Sequence, residues 1–252
     1  MSALAANPVV LIGQEQPVQV LFVGPHPDDV ELAAGGTIAL LAQGGVRVGI
    51  LDLTNGEPTP SGSVKQRLAE ATAAARILGV TVRVCLNLPN RSLQADLESR
   101  WYLAGWLRRL RPSVVFLPHG EDIHPDHVHG VRLIEDASFW SKLSRSDIPG
   151  APHPIRQLIY FACVHLRTVR SPDLLVDISN TMDRKLEALR CYRSQLDPEH
   201  RRGPVPTTVE EMETVGRFWG WVGRTRYAEP FFLRVPPLVP DSPSLAALMR
   251  LG

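Results

Sequence analysis

The 252-residue sequence predicts an α/β protein whose mostly parallel sheet carries helices on both faces. Apolar runs of strand length alternate with longer segments of helical period, and glycine or proline stands between most of them. This alternation is typical of βαβ units, whose right-handed crossovers favour a doubly wound, Rossmann-like sheet. No internal repeat points to another architecture.

The elements of the first half are predicted in a regular order. They are strands at 18–24, 46–53, 80–88 and 113–118, and helices at 30–43, 64–78 and 96–111. The three helices end at Gly44, Gly79 and Pro112. In the common strand order 3-2-1-4 the first and fourth strands are neighbours, and ligands bind beyond their carboxyl ends. We therefore expect the functional residues just after Gly24 and just after Pro118.

The second half is less regular. We predict a helix at 130–143, strands near 158–164 and 174–178, and a helix at 181–195. The C-terminal residues beyond them show mixed patterns. We expect one domain over 1–235, followed by a Pro-rich tail over 236–252.

Composition excludes several classes of protein. The 27 Lys and Arg residues nearly balance 26 Asp and Glu residues, so no nucleic-acid or membrane partner is expected. No apolar run approaches the roughly 18 residues of a membrane span, and the three cysteines are too scattered for a disulfide framework or a CxxC metal site. The first basic residue is Arg47, so no secretory signal is indicated and a cytoplasmic location is expected. Four acids precede it, namely Glu15, Asp28, Asp29 and Glu31.

The loops that follow Gly24 and Pro118 carry the same His-Pro-Asp device. It occurs in His26-Pro27-Asp28-Asp29 and in His124-Pro125-Asp126-His127. Residues three apart on a helical turn share a face, so each loop offers its first and fourth side chains to one point. Two imidazoles and one carboxylate form the mixed site that catalytic zinc uses, with an open position for water. One further acid remains at each loop, which a closed structural site does not need.

Simpler interpretations exist for each loop. Asp28 or Asp29 could cap the following helix, and the histidines of the second loop could be solvated. Both simpler interpretations would have to be true at once, at the two loops that the fold brings together. We therefore favour the metal site. No GxGxxG, GxxxxGK[ST], HExxH or GxSxG motif indicates another site. We interpret Cys163 and His165 as a buried core pair rather than a thiol nucleophile with its base.

Six stretches of the chain resemble one protein family. They are HPDDVELAAGGTIALL (26–41), LDLTNGE (51–57), HPDHVHG (124–130), PDLLVDIS (172–179), YRSQ (192–195) and YAEPF (227–231). There the sequence is similar to the PIG-L (LmbE-like) family of metal-dependent N-acetylglucosamine (GlcNAc) deacetylases. It most resembles the branch that deacetylates the GlcNAc-malate precursor in bacillithiol biosynthesis. Two departures are Asn90, where that branch tends to have aspartate, and the distinct segment 201–225.

The resemblance implies a role for each matching residue. The implied metal ligands are His26, Asp29 and His127, and the implied substrate-binding residues are Arg67 and Arg91. Asp28 would be the general base, and His124 the protonated partner of the intermediate, oriented by Asp126. One divalent ion is implied, with zinc the expected choice although the residues do not exclude iron or cobalt.

The expected function is a zinc-dependent hydrolase that removes the N-acetyl group from a small GlcNAc-malate-type amino sugar by metal-activated water. The resemblance also implies a homo-oligomer. Two enzymatic alternatives remain open, namely deacetylation of a chito-oligosaccharide such as diacetylchitobiose and cleavage of a mycothiol-type conjugate amide. A metal-binding module without catalysis is the non-enzymatic alternative.

Overall fold

The computed structural model of the chain describes residues 7–59, 61–162, 165, 169–196, 208–236 and 238. These residues form eight strands, β1 (Val9–Ile12), β2 (Val20–Gly24), β3 (Val48–Asp52), β4 (Val82–Cys85), β5 (Val114–Pro118), β6 (Gln157–Phe161), β7 (Leu174–Asp177) and β8 (Ala228–Phe232). The helices are α1 (Asp29–Gln43), α2 (Val64–Leu78), α3 (Leu97–Leu110), α4 (Pro125–Ser141), α5 (Met182–Leu189), α6 (Arg193–Leu196) and α7 (Thr208–Val222).

The strands form one sheet in the order β1-β4-β3-β2-β5-β6-β8-β7. The five strands from β4 to β6 run parallel, and Phe22 of β2 lies level with Ile50 on β3 and Phe116 on β5. Strand β1 pairs antiparallel with β4 at one edge, while β8 and β7 form the antiparallel opposite edge. The predicted order 3-2-1-4 is confirmed, because the first four predicted strands are β2, β3, β4 and β5.

Alternate residues of the parallel strands enter two separate apolar layers. Leu21 and Val23 of β2 pack in a cluster with residues of α3 and α4. Phe22, which lies between them, packs in a second cluster with residues of α1 and α2. Helices therefore cover both faces of the sheet, and this confirms the predicted doubly wound α/β fold.

Helix α1 begins at Asp29 and is fixed to the sheet by a buried carboxylate. Glu229 of β8 accepts hydrogen bonds from the backbone N–H groups of Gly36 (3.0 Å) and Thr37 (2.7 Å). The ammonium group of Lys185 lies 2.6 Å from the same carboxylate and balances its charge. The helix that starts in the first His-Pro-Asp loop is thus held in place at its centre.

The structure corrects several predicted boundaries. The helix predicted at 130–143 begins earlier, at Pro125, because the His124 ring accepts a hydrogen bond from the Asp126 N–H and proline is favoured at the first helical position. The helix predicted at 181–195 is divided into α5 and α6 by a turn at 190–191. Strands β1 and β8 and helix α7 were not predicted.

The predicted tail at 236–252 lies almost entirely outside the described residues, and the domain boundary at 235 stays a prediction. Within the described part of the chain, no helix combines the length and the apolar character needed to cross a bilayer.

Candidate metal centre and active site

The two His-Pro-Asp loops meet at the carboxyl ends of the neighbouring strands β2 and β5. The ring centroid of His26 lies 4.9 Å from that of His124 and 5.4 Å from that of His127. His26 and His127 are buried, whereas His124 is partly exposed to a pocket. The structure therefore brings together the two loops at the place that the strand order predicts.

Three buried groups converge on one point. Nδ1 of His26 and Nε2 of His127 each lie 3.1 Å from Oδ2 of Asp29. The His127 Nε2 atom is inaccessible and has no aligned hydrogen-bond partner among the described residues. Two imidazole nitrogens and a carboxylate oxygen match the donor set of catalytic zinc. The arrangement therefore fits a divalent metal ion bound by the three predicted ligands.

Each of the two histidines presents its other ring nitrogen to a second carboxylate. Nε2 of His26 lies 3.3 Å from Oδ2 of Asp126, and Nδ1 of His127 lies 2.6 Å from Oδ2 of Asp122. Such outer carboxylates fix the tautomer and orientation of metal-binding histidines. Asp122 was not predicted from the sequence, because it belongs to neither His-Pro-Asp device.

The same carboxylates set the ionisation of the site. Burial alone would lower the pKa of His26, but hydrogen bonds to Asp126 and Asp29 raise it to about 9. Burial also opposes the charged form of His127, yet the Asp29 charge and the Asp122 hydrogen bond raise its pKa to about 10. The pKa of Asp29, which burial would raise, is held well below its usual range by the two histidines. Without metal, the site therefore holds a carboxylate between two imidazolium rings.

Asp28 is the buried acid beside this site. It occupies the N-cap position of α1 with φ 109° and ψ −31°, and its side chain makes no capping hydrogen bond. The capping interpretation of Asp28 is therefore wrong. Burial raises the pKa of its carboxyl to about 7, although the charge of Arg67 acts in the opposite direction. An acid with such a pKa can exchange a proton near neutral pH.

The predicted hydrogen bond between the Asp126 carboxylate and His124 is wrong. That carboxylate lies against His26 and accepts hydrogen bonds from the backbone N–H groups of Arg91 (2.7 Å) and Leu93 (3.2 Å). The backbone N–H of Asp126, rather than its carboxylate, contacts His124 and donates a hydrogen bond to Nδ1 of that ring at 3.2 Å. The ring proton of His124 consequently belongs on Nε2. Burial and the neighbouring histidines lower the pKa of His124, which favours its neutral form.

Known proteins are similar to this chain over the region that contains the site. A model of the PIG-L family, described as GlcNAc-PI de-N-acetylase, matches residues 21–138, a range that includes both loops. Diacetylchitobiose deacetylase from Thermococcus kodakarensis is 34% identical over 231 residues, which cover 84% of this chain and 81% of the relative. The chain belongs to the PIG-L family.

Two other proteins show how far the similarity extends. The solved structure of the conserved protein TT1542 from Thermus thermophilus has a TM-score of 0.80 and 39% identity, and the match covers 89% of this chain and 99% of that one. A probable N-acetyl-α-D-glucosaminyl L-malate deacetylase 2 from Bacillus anthracis is 28% identical over 215 residues, 77% of this chain and 91% of the relative. The predicted family is confirmed, and both substrate types occur among its related members.

The two arginines predicted to bind substrate differ in this PIG-L chain. Arg67 is 4% exposed, and its guanidinium donates to the Pro27 carbonyl from Nε (3.1 Å) and Nη2 (2.7 Å). Nη2 also lies 3.2 Å from Oδ2 of Asp28. Arg91 is exposed, lines the same pocket, and donates from Nη2 to the Pro58 carbonyl. Both arginines line the pocket, and of the two only Arg91 is exposed.

The PIG-L site opens into a pocket of about 480 Å³. His26, Asp28, Asp29 and His165 are among the residues that line it. The His165 side chain is 41% exposed, and its Nδ1 lies 3.7 Å from the Asp122 carboxylate. The interpretation of His165 as a core residue is therefore wrong, while Cys163 lies outside the described residues. The apolar residues around His165 predict a buried strand, so the sequence did not indicate that this side chain lines a pocket.

Proposed function

We propose that this protein is a divalent-metal-dependent deacetylase that hydrolyses the acetamide of a GlcNAc-containing small molecule. The observation that carries the proposal is the convergence of His26, Asp29 and His127 next to Asp28, a buried acid that is not among the converging ligands. A purely structural metal site would have no use for this additional acid in the lining of a pocket.

Different residues of the site have different roles in amide hydrolysis. His26, Asp29 and His127 would hold the metal, which when bound acts as a Lewis acid on the acetamide carbonyl and activates water. The Asp28 carboxylate accepts the proton of the attacking water, a role that suits a pKa near 7. His124 donates a hydrogen bond from Nε2 to the carbonyl oxygen as negative charge develops there.

The departing amine needs a proton, because it does not leave as an anion. We assign this proton to Asp28, which has just received one from water and is buried in the same pocket. His124 is the less suitable donor, since its lowered pKa disfavours the imidazolium form. This assignment changes the role that the family resemblance implies for His124.

The pocket supports a neutral amino sugar, such as diacetylchitobiose, as the first substrate to test. Arg67 is engaged by Pro27 and Asp28, so it offers less to a substrate carboxylate than the sequence implied. GlcNAc-malate is the second candidate, because the exposed Arg91 in the pocket lining would pair with malate. Zinc as the metal, the homo-oligomer, the cytoplasmic location and the absence of nucleic-acid and membrane partners stay predictions.

Acetate release tests the proposal. Purified protein is stripped of metal with a chelator, reloaded with zinc, iron or cobalt, and given diacetylchitobiose, GlcNAc and GlcNAc-malate in parallel. We expect metal-dependent acetate release, with the preferred compound identifying the substrate type. The Asp28→Asn variant, loaded in the same way, controls for contaminating hydrolases. A folded, metal-loaded wild-type protein that releases no acetate from any of the three would contradict the proposed function.

A further inference from the structure

Arg67 reaches the first His-Pro-Asp loop from a different part of the chain. It lies in the first turn of α2, which begins at Val64, and its guanidinium contacts the loop 40 residues earlier. Two of its N–H groups point to one carbonyl, that of Pro27, and Nη2 also approaches the Asp28 carboxylate. Arg67 thus contacts the carbonyl of Pro27 and the side chain of Asp28, the two residues that one peptide bond joins.

That peptide bond leads into an uncommon backbone conformation. Asp28 has φ 109°, a region that residues with a side chain rarely adopt. Such conformations persist where surrounding contacts hold them, and they concentrate at active sites. The backbone of the turn is tied by the Leu32 N–H, which donates to the Asp28 carbonyl at 2.9 Å. The Asp28 side chain makes no capping hydrogen bond, and the guanidinium of Arg67 supplies the contacts to that side chain and to the Pro27 carbonyl.

The turn at Gly56 packs against the guanidinium of Arg67. A Cβ atom on Gly56 would lie only 3.2 Å from Cζ and Nη2 of Arg67, and Gly56 itself has φ 75°. The backbone of the LDLTNGE stretch therefore packs directly against the arginine. This packing explains why Arg67 is almost fully buried although it lines the pocket.

We propose that Arg67 is a positioning residue: it fixes the Pro27-Asp28 turn, so that the Asp28 carboxylate faces the reacting amide, and it does not bind a substrate carboxylate. The proposal rests on the function proposed above. It differs from the role that the sequence implied, in which Arg67 contacts the substrate. A positioning residue acts on every substrate equally, whereas a carboxylate-binding residue acts on anionic substrates alone.

The test compares Arg67→Ala with the wild type on diacetylchitobiose and GlcNAc-malate. We expect kcat to fall by about 100-fold on both substrates, the scale of losing a correctly placed general base, and KM to change by less than about threefold. Adding guanidinium ion should restore part of the activity of Arg67→Ala. Arg67→Lys should remain at least about tenfold below the wild type, because an ammonium group lacks the planar fork that contacts Pro27 and Asp28 together.

Two controls separate positioning from general damage. Arg76→Ala removes an exposed arginine of the same helix and should leave kcat and KM unchanged. Circular dichroism melting and metal affinity by chelator competition should differ little between Arg67→Lys and wild type, which shows that its lost activity does not come from unfolding or metal loss.

The outcomes are distinct. A loss confined to GlcNAc-malate and expressed mainly in KM overturns the positioning role and restores the carboxylate-binding one. Full activity of Arg67→Ala also overturns the proposal. An inactive wild type instead refutes the proposed function.

Discussion

Metal binding should release two protons from the site at neutral pH. The pKa values of His26 and His127 are raised to about 9 and about 10, so both rings are protonated in the metal-free protein at about pH 7. A metal needs the unprotonated nitrogens, and both rings must therefore lose a proton when it binds. Asp29 contributes no proton, because its pKa is held well below its usual range.

The sign and size of the pH effect follow from this count. Raising the pH removes protons that compete with the metal, so metal affinity increases with pH until it passes the raised pKa values. With two protons displaced, the apparent affinity should rise about 100-fold per pH unit near neutrality, or about 2.7 kcal/mol. Two rings with the ordinary pKa near 6.5 would release only about half a proton in total at about pH 7.

Isothermal titration calorimetry measures the released protons directly when the titration is repeated in buffers of different ionisation enthalpy. The Asp28→Asn variant is the appropriate protein, because it removes a neighbouring carboxyl whose pKa is about 7. We expect about two protons at about pH 7. Adding Asp122→Asn should reduce the number, because the Asp122 hydrogen bond helps to raise the pKa of His127. Release of fewer than about one proton would refute this reasoning.

Three further predictions concern single side chains. Asp28→Asn should lower acetate release at least about 100-fold with metal content nearly unchanged by elemental analysis, and near-normal turnover would remove Asp28 as the base. Asp122→Asn should weaken metal binding about 10- to 100-fold in chelator competition, because it frees His127 to reorient; an unchanged affinity would contradict that role. Glu229→Ala should lower the free energy of unfolding by about 3–5 kcal/mol in urea titrations, since it leaves the Lys185 ammonium buried without its partner. A loss under about 1 kcal/mol would show that the pair adds little.

The place of the site was predictable from the sequence. Strand-length runs and the chirality of crossovers specify that β2 and β5 are neighbours, and parallel strands bring their carboxyl ends to one edge. Two His-Pro-Asp devices after those two strands must then meet. The assignment of His26, Asp29 and His127 as the ligands came from the family resemblance, and the structure brings those three together. The structure also groups His124 with His26 and Asp126, so the choice between these sets rests on the resemblance.

The contacts around the ligands were not predictable in the same way. The Asp122 carboxylate lies 2.6 Å from Nδ1 of His127, and no local sequence pattern specifies that contact. The burial of Arg67 was not predictable for a related reason: its position on α2 was clear, but its burial depends on the turn at Gly56 packing over it. Helix α7 was missed because Gly216 and Gly220, which pack closely on neighbouring segments, weaken its helical propensity.

The acids that precede the first basic residue of the chain receive different partners, and those partners decide which acid can bind a metal. Glu31 is fully buried against the Arg83 guanidinium, whose pKa lies well above its usual value, so this partner keeps its proton. Asp29 instead lies between His26 and His127, whose imidazolium rings can give up their protons within an accessible pH range. A divalent cation can therefore replace the positive charge around Asp29, but it cannot replace the charge beside Glu31. The choice of imidazole or guanidinium as the partner thus separates the proposed metal ligand from a structural acid two residues away on the same helix.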